Sequence, residues 1–123
     1  MREVVYYAHS KKIYNTSREK MERSYIEKRF KAVCCPNRDM GELGSMNPYI
    51  DKVKGCHAVV CTEFQGHIGK GVYEEITAAL RFEKEVYCLR RRVGVFQLHR
   101  IKEVMIVDDT DWGTRYGKVK VAR

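Results

Sequence analysis

Four short apolar runs, at residues 4–8, 32–35, 58–61 and 86–89, alternate along the chain with segments whose apolar residues recur at helical spacing. Runs of that length, bounded by polar residues, read as strands buried on both faces. Parallel neighbours need crossover connections, and a helix between successive strands supplies them. The order βαβαβαβ therefore predicts an α/β fold: a three-layer arrangement with a parallel sheet of strand order 2-1-3-4 and helices on both faces. The 123 residues suit one domain with one core and leave no room for a second.

The intervening segments carry their own start and stop signals. Thr16 can cap a first helix with Glu19 at the capping-box spacing, followed by Met21, Tyr25, Ile26 and Phe30. Pro36-Asn37 closes the second strand, and residues 38–45 read as a loop. Pro48 suits the first turn of a helix running to about Lys54, which Gly55 ends. Gly66, Gly69 and Gly71 precede a helix in which Val72, Ile76, Ala79 and Leu80 form a core stripe. Beyond Arg90-Arg91-Arg92 the runs at 93–98 and 104–107, a polar turn at 108–113, and Val119 with Val121 give strand or hairpin signals, which extend the sheet edge or form a dimer contact.

Charge and cysteine usage narrow the classes. Lys and Arg number 24 against 16 acidic residues, a net +8 that attracts anions: nucleic acid, a nucleotide or other phosphate-bearing metabolite, or an acidic partner. The arginine triplet reads first as solvated surface. Five cysteines are an odd set, mostly within apolar runs, as expected of reduced core thiols. Only Cys56-His57 with Cys61 approaches zinc-ligand spacing, so neither a metal site nor a cofactor is expected. No apolar run nears the ~20 residues that span a bilayer, and Met1-Arg2-Glu3 opens no apolar signal region. The expectation is a cytoplasmic protein with no membrane partner.

In an open parallel sheet, ligands bind beyond the carboxyl ends of the strands, which selects residues 9–15, 36–45 and 63–75. The glycine loop at 65–71, holding His67 and Gly69 and ending at Gly71, can face backbone N–H groups toward an anion; a plain tight turn reads equally well. At about 100° per residue, Glu74 lies opposite the Val72–Ile76–Ala79 stripe and should be solvated, whereas Glu75 falls at its edge and can look into a cleft. A carboxylate in the first helical turn is favoured in its ionised form, as a nucleophile requires.

Two motifs carry a resemblance. Val5-Tyr6-Tyr7-Ala8-His9-Ser10-Lys11-Lys12, followed by a charged helix, and Gly71-Val72-Tyr73-Glu74-Glu75-Ile76-Thr77-Ala78-Ala79-Leu80 resemble the nucleoside 2-deoxyribosyltransferase family, and within it most nearly the deoxynucleoside 5′-monophosphate N-glycosidases. The resemblance implies that Glu75 is the nucleophile and that Tyr6 orients it. It implies a 5′-phosphate held by Ser10 and Lys12, with His9 where a glycine is usual. The family's aspartate before strand three corresponds to Tyr49, leaving Asp51 as a nearby substitute, and His57 replaces the aspartate that opens strand three. A homodimer is also implied, because such enzymes complete their sites across an interface.

The resulting expectation is an N-glycosidase or deoxyribosyltransferase acting on a deoxynucleoside monophosphate or nucleoside. Two alternatives stay open: a non-catalytic nucleotide-binding or sensing module on the same fold, and a basic nucleic-acid-binding protein using the +8 charge with Tyr14, Tyr25 and Tyr49 as stacking platforms.

Overall fold

The computed structural model describes residues 4–41, 45, 47–109 and 114–121, with side chains described as far as residue 104. The elements are β1 (Val4–Ala8), a 3₁₀ turn (Lys11–Ile13), α1 (Ser17–Arg29), β2 (Ala32–Cys34), α2 (Pro36–Asp39), α3 (Asn47–Gly55), β3 (Ala58–Cys61), α4 (Lys70–Arg81), β4 (Glu85–Arg92), β5 (Val95–Asp109) and β6 (Thr114–Val121). They form one α/β sheet in the order β2-β1-β3-β4-β5-β6. The first four strands run parallel, as the alternation of runs predicts, and β5 and β6 are added antiparallel.

Alternation along β1 builds two core layers. Tyr6 and Ala8 face α3 and α4, packing with Val53, Val59, Ile76 and Val86. Val5 and Tyr7 face α1, packing with Ile26, Val33, Val60 and Leu89. Strand order reverses between β1 and β3, where chain segments leave the sheet in opposite directions, so a crevice for chemistry is expected there.

Several local expectations shift. Residues 36–39 form a helical turn rather than a loop, because Pro36 pre-sets the first helical φ and the Asp39 carboxylate accepts from the Cys35 N–H at 2.8 Å. The runs at 93–98 and 104–107 are not separate strands. Val93 and Gly94, with φ of +52° and +77°, form a two-residue turn after β4, and β5 then runs unbroken to Asp109. Of the turn expected at 108–113, Asp108 and Asp109 belong to β5 instead, and 110–113 lie outside the described residues. In α1, Met21 is exposed at 41%, and the buried positions are Glu19, Glu22 and Ile26. No helix among the described residues is long and apolar enough to cross a membrane.

Candidate functional site

Tyr6 lies mid-sheet, with β2 and β3 on either side of its strand, and its ring is fully buried. Its hydroxyl donates a hydrogen bond to the Glu75 carboxylate on α4, the helix that follows β3. Strand and helix thus bring together, across the reversal point, two residues 69 positions apart in sequence. Glu75 is 6% exposed and Glu74 is half-buried rather than fully solvated.

Electrostatics at Glu75 differ from the sequence-based expectation. The helix begins at Lys70, which puts Glu75 in the second turn, beyond most of the dipole's reach. Burial pushes its pKa up to about 8; the Tyr6 hydrogen bond opposes this and the neighbouring Glu74 charge adds to it. At neutral pH the carboxyl of the free protein is therefore mainly protonated. The Tyr6 hydroxyl is held far above its ordinary value by burial and then by Glu75. Tyr14, just after the 3₁₀ turn, has a hydroxyl pushed up to about 12 by burial and by the charges of Glu75 and Tyr49. Tyr14 therefore belongs to the same neighbourhood as Tyr6 and Glu75, although nothing in its spacing announced this.

The remaining expected residues divide. Ser10 caps the 3₁₀ turn, its hydroxyl accepting from the Lys12 N–H at 3.1 Å, and the Lys12 ammonium stands 5.5 Å from the Phe64 ring centre. His9 does not face Glu75. Odd-numbered residues of β1 point toward α1, and its buried ring donates from Nδ1 to the Tyr7 carbonyl at 2.9 Å and meets the Glu19 carboxylate at 2.6 Å through Nε2. The ring expected to meet substrate is thus placed among internal partners on the α1 side.

The glycine loop is in part a small hairpin. Phe64 and His67 exchange backbone hydrogen bonds at 2.8 and 3.1 Å around Gln65 and Gly66, both with positive φ. His67 donates from Nδ1 to the Gln65 carbonyl at 3.0 Å. Gly69 is the N-cap of α4 and Gly71 lies within its first turn. Asp51 is exposed on α3, where no hydrogen bond or ion pair among the described residues holds it. Tyr49 donates to the Gly41 carbonyl, and His57 accepts the Val4 N–H at 3.2 Å, which ties down the start of β1.

The α1 face carries a second polar group that sequence reasoning missed. Glu22 accepts from the Tyr7 hydroxyl and pairs with Arg18 at 2.9 Å, while Glu63 pairs with Arg90 at 2.9 Å. Beside them a groove of about 740 Å³ opens between α1 and the β4–β5 hairpin, lined by Arg18, Arg90, Arg91, Arg92, Phe96 and His99 among others. Neither Tyr6 nor Glu75 lines it. Thr62, at the carboxyl end of β3, holds the one buried side-chain oxygen among the described residues that has no hydrogen-bond partner.

No family model, curated protein or solved structure matches the chain.

Proposed function

We propose that the chain is an N-glycosidase or deoxyribosyltransferase acting on a deoxynucleoside or its 5′-monophosphate, with Glu75 as nucleophile. The observation that carries this reading is the buried Tyr6–Glu75 hydrogen bond at the point where strand order reverses. A carboxylate held by a tyrosine donor is fixed in orientation, and a fixed carboxylate can attack the anomeric carbon with little loss of freedom. Glu75 forms the bond to C1′ as the bond from C1′ to the base breaks. The base leaves with the bonding electron pair and takes up a proton, and water or a second base then cleaves the glycosyl ester.

The ionised form of Glu75 does this work, so the reactive fraction of the free protein rises with pH through about 8. Lys12, in the turn after β1, supplies positive charge for a 5′-phosphate, consistent with the chain's +8. The active form in this reading is a homodimer, in keeping with the family that the two motifs resemble. Sedimentation at micromolar concentration checks it, and monomer alone counts against it.

A second reading, a nucleotide-binding module without catalysis, is favoured by Asp51, exposed and unengaged among the described residues, and by the raised pKa of Glu75. Chromatography of the four common deoxynucleotides and their nucleosides after incubation with the protein separates the two. Free base supports the glycosidase; calorimetric binding without base release supports the module.

A further inference from the structure

On the opposite side of the sheet from Glu75, three residues from three successive segments converge under α1: His9 just after β1, Glu19 in the first turn of α1, and Cys35 just after β2. All three are buried; a His9 ring nitrogen, a Glu19 carboxylate oxygen and Cys35 Sγ lie within 4.8 Å of one another, and His9 Nε2 is the nitrogen that meets Glu19, at 2.6 Å. We propose that these three atoms bind one divalent transition-metal ion, with zinc the best match to a mixed nitrogen, oxygen and sulfur donor set.

The support around the donors has the form that metal ligands need. His9 donates its other ring nitrogen, Nδ1, to the Tyr7 carbonyl at 2.9 Å, which fixes the ring and turns Nε2 toward Glu19. The Tyr7 ring stacks on the imidazole at 3.8 Å and 5°, restricting its rotation. Glu19 is held through its other oxygen by the Asn15 N–H at 3.1 Å. The Cys35 thiol donates to Asn37 Oδ1 at 3.2 Å, and the Asn37 side chain also hydrogen-bonds Glu19, so one amide steadies two donors.

Charge points the same way. One carboxylate, one thiolate and one neutral imidazole match the charge of a divalent ion, and the half-buried Arg23 guanidinium, 3.8 Å from Glu19, adds a positive charge at the rim of the cluster. Three protein donors fill three of the four positions of tetrahedral zinc. Binding displaces two protons to solvent, the Cys35 thiol proton and the one between His9 and Glu19. Those two atoms, 2.6 Å apart without metal, then separate to admit an ion about 2.0–2.1 Å from each. The proposal does not depend on the glycosidase reading, and its test does not measure base release.

The test uses the full chain, loaded with Zn²⁺ or Co²⁺ and dialysed against metal-free buffer. Expected are one equivalent of retained zinc and, with cobalt, the visible bands of tetrahedral Co²⁺ together with a thiolate-to-cobalt charge-transfer band. Cys35→Ser should remove the charge-transfer band and Glu19→Gln should weaken zinc binding at least tenfold, while Cys56→Ser, a buried thiol outside the cluster, leaves both unchanged. Should the cluster variants fail to fold, X-ray absorption of the zinc-loaded wild-type protein decides. One sulfur with nitrogen and oxygen scatterers supports the site; a shell without sulfur, or with several, overturns it. Wild-type protein that retains no metal and shows no cobalt spectrum also overturns it, leaving His9 and Glu19 as a plain internal ion pair.

Discussion

The two faces of the sheet bury glutamates in opposite ways. Under α4, Glu75 has a tyrosine donor and no cationic partner among the described residues, and burial with the nearby Glu74 charge raises its pKa to about 8. Under α1, Glu19 exposes as little surface but is less deeply enclosed, and its pKa stays below the ordinary value because hydrogen bonds from His9 and the Asn15 backbone outweigh desolvation. Ionising a buried carboxyl that the Tyr6 hydrogen bond offsets only in part costs stability. The contrast is between a carboxyl whose burial is only partly offset, under α4, and one whose burial is offset by its partners, under α1.

The largest expected effect separates neighbours on α4. Glu75→Gln should lower base release by on the order of 10³-fold or more while leaving nucleotide binding nearly intact, because an amide of the same shape cannot attack C1′. Glu74→Gln should change the rate little. Chromatographic rates with calorimetric binding check both, and equal losses in the two variants would erase the distinction between them.

Next in size is a stability effect on the other face. Glu19→Ala leaves buried His9 without its acidic partner and should cost about 3–5 kcal/mol in urea unfolding of metal-free protein. Glu75→Gln, which removes a group that is costly to ionise, should cost nothing at pH 7.

The comparison sharpens with pH. Glu75 holds its proton more tightly folded than unfolded, so its stabilising contribution is complete below its ordinary value of 4.5 and is lost as pH rises to about 8. Glu19 has the opposite sign: its depressed pKa gives stability above its ordinary value, lost as pH falls through the folded one. Thermal unfolding of wild type and Glu75→Gln should therefore diverge between pH 5 and pH 9 in favour of the variant. Parallel curves would show that Glu75 is ionised throughout.

Smaller effects lie at the rims. Lys12→Ala should weaken binding of a deoxynucleoside monophosphate by about 1.5–3 kcal/mol, with little change for the unphosphorylated nucleoside, as expected for one charge-assisted phosphate contact. Val93 is a β-branched residue at φ +52° in the β4–β5 turn and is 97% exposed, so Val93→Asn should stabilise by about 1 kcal/mol, read by thermal unfolding.

What the sequence made legible follows from periodicity. The four parallel strands and their order are written in apolar runs that face core on both sides, and Glu75 was found because helical geometry places it at the edge of an apolar stripe. The inner face of α1 was hidden for the same reason. Its buried positions 19 and 22 are glutamates, and a hydrophobic pattern cannot register a polar face that is satisfied by Tyr7, His9 and Arg18. Cys35 joins His9 and Glu19 only through the strand order, which no local spacing encodes. The helix dipole favours an ionised carboxylate only in the first turn, whereas α4 starts at Lys70, Glu75 falls in the second turn, and burial decides its protonation.

The central claim is that Glu75 becomes covalently glycosylated during turnover. Its most direct test is peptide mass spectrometry of protein quenched with a deoxynucleoside monophosphate bearing fluorine at C2′, where electron withdrawal destabilises the oxocarbenium-like transition state and slows hydrolysis of the intermediate. A sugar-phosphate adduct on Glu75, within the segment 71–81, absent in Glu75→Gln, is the predicted result. An adduct on another residue, or base release with every peptide unmodified under conditions that slow hydrolysis, would contradict it.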